Sequence, residues 1–296
     1  MDFLSASDLG ADGLAAVLES AGRIKRNPAS VAGVLAGRRV GLFFMKPSTR
    51  TRVSCEVACH RLGAHPLVLR NEEVGLGTRE SVADVARVLD RYLDLLALRV
   101  FDHAHLEEVA QHAGAPVVNL LSDREHPCQA VADLQTLAEH RPLPGASLAY
   151  VGDGNNVCHS LLLAATMAGV EVRVACPEGY QPDGSVVAAA SQQGKVLVTR
   201  DPEEAVTGAD AVYTDVWASM GRQDEAAERR SRFEAYRVDE KLFGQAAPDA
   251  IFLHCLPAHR GEEVTAEVLE HSRSRVFDQA ENRLHAFAAL LVHLLG

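Results

Sequence analysis

The sequence predicts an α/β protein made of two doubly wound parallel-sheet domains with an interdomain cleft. Three observations carry that expectation. Short apolar runs alternate with amphipathic stretches at helical spacing, which is the pattern of parallel sheets covered by helices on both faces. The alternation restarts once, after Arg141-Pro142-Leu143-Pro144-Gly145. A chain of 296 residues also exceeds what one compact core usually holds. The expected division is 1–140 plus 282–296 for the first domain and 141–281 for the second.

The elements follow in order. Val40–Met45 reads as a buried strand, Thr49–Leu62 as a helix, and Leu67–Leu69 as a second strand. In Ser81–Tyr92, Val82, Val85, Ala86 and Leu89 fall at helical spacing, and Leu95–Val100 returns to a strand. Leu106–His112 is a short helix, Pro116–Leu120 a strand, and Pro127–His140 a longer helix joining the two domains. In the second half Ser147–Val151, Val170–Ala175, Lys195–Thr199, Ala211–Val216 and Ile251–Leu256 read as strands, with helices at Asn156–Gly169 and Ser185–Gly194. The last helix, Asn282–Leu295, has no partner strand in the second half and is expected to pack back on the first domain.

Composition narrows the function. With 47% hydrophobic and 23% charged residues the chain is an ordinary globular one, and a net charge of −11 argues against a nucleic-acid-binding face. No apolar run approaches the ~20 residues of a membrane span. The first residues carry neither a basic stretch nor a long apolar one, so no secretory leader is expected. Six scattered cysteines without a CxxC pair suggest reduced thiols and a cytoplasmic protein.

The sharpest local signal is Lys46-Pro47-Ser48-Thr49-Arg50-Thr51-Arg52, between a predicted strand and a predicted helix. Hydroxyls, guanidinium groups and the N–H groups of a helix start converge there, the makings of a small anion site. Ser and Thr are also ordinary N-caps, but basic residues in a first turn oppose the helix dipole, so capping alone does not explain them. The run is not a Walker A loop.

This run resembles the carbamoyl-phosphate signature of the aspartate and ornithine carbamoyltransferases. His126-Pro127-Cys128-Gln129 is similar to that family's His-Pro-x-Gln motif. Asp153-Gly154-Asn155-Asn156, Asp215-Val216-Trp217-Ala218-Ser219-Met220-Gly221 and His254-Cys255-Leu256-Pro257 are similar to its ornithine branch, and Gln279-Ala280-Glu281-Asn282-Arg283 closes the series. The motifs stand in family order and span nearly the whole chain.

The resemblance implies transfer of a carbamoyl group from carbamoyl phosphate to the side-chain amine of L-ornithine, giving L-citrulline and phosphate, in the setting of arginine biosynthesis. By it, Ser48, Thr49, Arg50 and Thr51 hold the phosphate. Thr51, Arg99 and His126 donate to the carbonyl oxygen, and Gln129 and Arg283 fix the carbamoyl end. Asp215 and Ser219 meet the α-ammonium of ornithine; Asn156 and the backbone around Met220 meet its α-carboxylate. Cys255 and Leu256 lie beside the δ-nitrogen and the carbamoyl group it attacks, so Arg99, His126, Cys255 and Thr51 form the implied catalytic set. The scheme requires no metal and no cofactor. The implied assembly is a homotrimer in which the loop near Asn71–Arg79 lends residues to a neighbour.

Other readings of these residues stand beside it. Arg99 as an edge arginine and His126 as a structural histidine are the plainer assignments. Gly152-Asp153-Gly154-Asn155-Asn156-Val157 resembles a dinucleotide-binding turn, but the sixth position is Val rather than Gly, which weakens a nicotinamide-dependent alternative. His254-Cys255 suggests a thiol nucleophile, yet neighbours on a strand point to opposite faces. Cys55 and Cys59 fit buried core thiols better than a metal site. Asp153 receives no direct role, and Trp217 is assigned to packing. A non-catalytic ligand-binding paralogue is the remaining alternative. One departure stands out: Gly75 occupies the position where ornithine-type members commonly carry Gln or His, which leaves open Arg79, Glu72 or Glu73 as substitutes, weaker binding of carbamoyl phosphate, or a different amine acceptor.

Overall fold

The computed structural model describes residues 1–218 and 226–296. Ser219, Met220 and Gly221 of the expected amino-acid site lie outside the described residues. The chain separates into two compact units: Met1–Gln135 with Glu281–Gly296, and Thr136–Ala280.

In the first unit β1 (Arg39–Phe44), β2 (His65–Arg70), β3 (Leu95–Arg99) and β4 (Val117–Leu121) form a wholly parallel sheet in the order β2-β1-β3-β4. In the second, β5 (Ser147–Val151), β6 (Glu171–Ala175), β7 (Val196–Thr199), β8 (Ala211–Thr214) and β9 (Ile251–His254) are again all parallel, in the order β7-β6-β5-β8-β9. The fold class is the α/β one expected. Every residue of β3 and β5 is buried, which is why these strands read as unbroken apolar runs rather than alternating ones. The order reverses between β1 and β3 and again between β5 and β8, and in such sheets ligands collect at the carboxyl ends of strands flanking the reversal.

The differences from the expected elements have local causes. β2 begins at His65, two residues before the expected start, because Pro66 hides it; Pro is tolerated there since β2 is an edge strand. The last helix runs Val276–Leu295, six residues longer than expected, and its first turns bury the polar Gln279 and Asn282, which interrupt the apolar period. A 17-residue helix, Gly10–Arg26, lies where no element was assigned, although Leu14, Val17, Ala21 and Ile24 are buried at helical spacing. β8 and β9 stop two residues short of their expected ends, so that Asp215 and Cys255 stand just beyond the sheet.

The turn after β5 is built on close backbone approach. Gly154 N–H donates to Tyr180 O at 2.9 Å, and a Cβ at Gly154 would lie 2.2 Å from Pro182 N. Because the obstacle is backbone, Gly154→Ala is expected to cost about 1–3 kcal/mol, the usual range for overpacking. Urea unfolding checks this; an unchanged midpoint would contradict the tight approach.

Candidate active site

The first unit gathers its candidate residues at the carboxyl ends of β1, β3 and β4. Ser48 caps the helix Thr49–Arg61 with an extended backbone, its Oγ accepting the Thr51 N–H at 3.4 Å and donating to Thr51 Oγ1 at 2.9 Å. Arg283 Nη2 donates to the same Thr51 oxygen. A hydroxyl has two acceptor sites and one donor. With both acceptor sites filled, Thr51 is left with its O–H to give, so this buried side chain is committed to donating. Thr49 and Arg50 are exposed at the helix start, whereas Arg52 is drawn back to Glu56 at 2.9 Å.

Arg99 ends β3, which is an interior strand, and is only 5% exposed, so it is not a solvated edge arginine. A register shift between Leu98 and Arg99 pairs Arg99 with Leu121 rather than Leu120, a bulge of the kind that re-aims a side chain at a strand end. His126 precedes the helix Pro127–Ala138 and is also buried. Burial, then the charges of Arg283 and Arg99, hold its pKa well below the usual imidazole value. The ring is therefore neutral near pH 7 while sitting close to two guanidinium groups. Gln129 is fully buried; its Nε2 donates to Asp133 Oδ1 at 2.8 Å, while its Oε1 has no hydrogen-bond partner. That orphaned acceptor suits an N–H donor such as a carbamoyl amide.

The second unit places Asn155 and Asn156 after β5, Asp215 after β8, and Cys255 and Leu256 after β9. Cys255 Sγ–H donates to Asp215 Oδ1 at 3.0 Å, and Asn155 Nδ2 donates to Asp215 Oδ2 at 2.9 Å. The thiol's proton thus faces a carboxylate, with the His254 imidazole in the same cluster. His254 Nε2 meets the buried Glu263 at 3.2 Å, and its Nδ1 accepts the Leu256 N–H at 2.9 Å. This second bond supports Leu256 in a left-handed conformation, φ 57°, which costs a non-glycine residue roughly 1–2 kcal/mol.

Five residues to which the sequence reading gave no role matter here. Asn155 holds Asp215, Glu263 orients His254, and Asp133 orients Gln129. Asp153, given no role above, accepts from the buried Arg229 at 2.6 Å, and Arg229 also donates to Trp217 O at 2.8 Å. Asn155 was legible as a cap before an apolar helix; Arg229, in the exposed-looking run Glu228-Arg229-Arg230, carried no signal. Trp217 packs against Phe233, as expected, with ring centroids 5.9 Å apart. Cys55 and Cys59 are buried, and burial pushes the Cys59 thiol up to about 12.

Comparison with known proteins decides the family. The carbamoyl-phosphate-binding domain of the aspartate/ornithine carbamoyltransferases matches residues 1–139, and their Asp/Orn-binding domain matches residues 144–294. The chain belongs to the aspartate/ornithine carbamoyltransferase family. The ornithine carbamoyltransferase of Methanoculleus marisnigri is 50% identical over 299 residues, covering 100% of this chain and 97% of its own. Among solved structures, the ornithine carbamoyltransferase of Pyrococcus furiosus has a TM-score of 0.95 at 47% identity, covering 100% of this chain and 97% of its own. That of Thermus thermophilus gives 0.92 at 47% identity, covering 100% and 99%.

Within this carbamoyltransferase fold the departure at Gly75 has a backbone cause. Gly75 follows the short helix Asn71–Val74 at φ 66°, and its carbonyl accepts N–H bonds from Thr78 and Arg79 at 3.0 and 2.8 Å. A Cβ there would lie 2.6 Å from Arg79 Cβ, so the turn itself selects glycine. Of the substitutes considered, Arg79 already donates to Glu73 O at 2.6 Å. Glu72 and Glu73 line a cavity of about 590 Å³ that also touches Ser48, Thr49, Arg52 and Arg70.

The neutral His126 has a measurable consequence. Its folded pKa lies below its unfolded value, so the stability it contributes is complete above pH ~6.5 and is lost as pH falls toward the folded value. In that window wild-type unfolding free energy should fall by up to about 1.4 kcal/mol per pH unit more steeply than that of His126→Asn. Equal slopes in pH-dependent urea titrations would contradict the assignment.

Proposed function

We propose that the chain transfers the carbamoyl group of carbamoyl phosphate to the δ-amine of L-ornithine, forming L-citrulline and phosphate. The observation that carries this reading is Thr51. It is a buried hydroxyl whose two acceptor sites are filled by Ser48 and Arg283, on a helix start with Arg50 beside it and with Arg99 and a neutral His126 in the same unit.

Ser48, Thr49, Arg50 and Thr51 hold the phosphate, where a helix start and a guanidinium fork favour a dianion. Thr51, Arg99 and His126 donate to the carbamoyl oxygen, on which negative charge builds as the amine attacks. Fixed donors aimed at developing charge are usually the largest catalytic contribution. The Gln129 Oε1 acceptor and Arg283 fix the carbamoyl end. Asp215 takes the α-ammonium together with Ser219; Asn156 and the backbone at Met220 take the α-carboxylate. Cys255 and Leu256 orient the δ-amine, which has a reference pKa near ~10.4 and attacks only after losing its proton. As the carbon–nitrogen bond forms, the bond from carbon to the phosphate oxygen breaks and inorganic phosphate departs.

The nicotinamide alternative is disfavoured by the turn after β5. Asn155 Oδ1 already accepts the Val157 and Cys158 N–H groups, which a pyrophosphate would need. A homotrimer is what the family resemblance implies, and Val53 and Val57, exposed on the helix after Ser48, offer an apolar face to a neighbouring copy. A place in arginine biosynthesis is what the family resemblance implies. A cytoplasmic location is supported by six unbridged thiols, and no helix among the described residues is long and apolar enough to cross a membrane.

The deciding experiment is a panel assay of carbamoyl transfer to ornithine, putrescine, lysine, aspartate and N-acetylornithine. Ornithine is expected to dominate; preference for another acceptor, or no turnover with any, would overturn the reading. Arg50→Ala should lower kcat/KM for carbamoyl phosphate by about 10²-fold or more without unfolding the chain. Near-normal citrulline formation would remove Arg50 from the site. Asp215→Ala should raise the KM for ornithine while sparing carbamoyl phosphate binding, and equal loss of both would contradict the division of roles.

A further inference from the structure

Resting on the proposed role of Asp215, we infer that Asn155 is the positioning residue that holds the Asp215 carboxylate in its amine-binding orientation. The side chain is fixed at both ends. Its Oδ1 accepts the Val157 N–H at 3.0 Å and the Cys158 N–H at 3.2 Å, and also the Tyr150 hydroxyl at 3.2 Å. Three donors on one atom leave no doubt which end of the amide is oxygen. Nδ2 must then face away from the helix start, and it donates to Asp215 Oδ2 at 2.9 Å. Asp215 Oδ1 is held from the other side by Cys255 Sγ–H. One amide thus caps the helix Asn156–Met167 at the end of β5 and, across the reversal in strand order, aims the carboxylate that ends β8. The cap comes from the helix position and the aim from the amide nitrogen, so substitution separates the two.

Asn155→Asp keeps the cap, because Asp serves there as well as Asn. It also replaces the N–H donor by a carboxylate oxygen against Asp215. Two carboxylates at that separation do not both ionise readily, and one of the pair is driven to hold its proton at higher pH. The other groups facing Asp215 are the Cys255 thiol, the His254 imidazole and the Tyr150 hydroxyl, with the Asp153–Arg229 pair behind Tyr150. All remain unchanged in the variant. Asn155→Ser also keeps a cap, and it removes the donor without adding charge.

The test is steady-state kinetics of the full chain from pH 6 to 9, with thermal unfolding alongside. Asn155→Asp is expected to fold like wild type and to raise the KM for ornithine at neutral pH about tenfold or more. It should also give that KM an acid-side dependence beyond the one wild type owes to protonation of the δ-amine itself, with the KM for carbamoyl phosphate unchanged. Asn155→Ser is expected to raise the ornithine KM without the new pH dependence. The inference is overturned if both variants keep the wild-type ornithine KM and pH profile, or if KM for both substrates and the melting temperature move together, as a purely structural cap would produce. Asp215→Ala separates the layers. If it raises the ornithine KM while Asn155→Asp does not, only the role of Asn155 fails. If Asp215→Ala leaves that KM unchanged, the reading of Asp215 fails and the inference with it.

Discussion

Everything in the first unit's site depends on one hydroxyl being unable to accept a further hydrogen bond. Thr51 sits in the first turn of a helix, buried, with Ser48 and Arg283 both donating to its oxygen. Arg283 comes from the far end of the sequence, 232 residues away, yet belongs to the same compact unit because Glu281–Gly296 packs with the N-terminal part of the chain. The split organisation of that unit is therefore tied to its chemistry. The returning C-terminal helix brings the guanidinium that fixes the direction of the Thr51 proton.

The electrostatics of the chain run against its overall charge. A molecule of net charge −11 concentrates Arg99 and Arg283 in buried positions near one histidine. An isolated buried cation is costly unless it is paired. Here that cost is lowered by keeping His126 neutral, since a third positive charge in the cluster would add repulsion to desolvation. A neutral imidazole still offers one N–H, so the group stays a hydrogen-bond donor while contributing no charge of its own.

Much of this was legible in the residues, and the limits were physical. Buried parallel strands such as Leu95–Arg99 and Ser147–Val151 announce themselves by unbroken apolar runs. The Ser48–Arg52 run stood out because it violates the usual charge preference of a helix start. The edge strand was shortened in the reading by Pro66, whose missing N–H matters less at a sheet edge than in its centre. Arg229 and Glu263 were invisible for another reason: a charge buried by a tertiary partner looks in sequence like any charge on a solvated helix. Gly75 stood out as a missing donor, and the structure adds a second reason for the glycine, since a left-handed turn and a missing donor leave the same letter in the sequence.

The two sheets end the strands beside their reversals in opposite ways, and the opposition matches the two substrates. After β1 the helix start carries basic residues, and its cap, Ser48, makes a single long bond of 3.4 Å to a backbone N–H. The positive end of that helix is thus presented toward a ligand, as a dianion requires. After β5 the cap is Asn155, whose oxygen takes two backbone N–H groups at 3.0 and 3.2 Å. That helix start is closed by its own side chain, whose amide nitrogen holds the buried Asp215 carboxylate at the end of β8. The same α/β unit is thus used twice with different helix starts after its first switch-point strand, an open serine cap among basic residues and a closed asparagine cap bonded to a carboxylate.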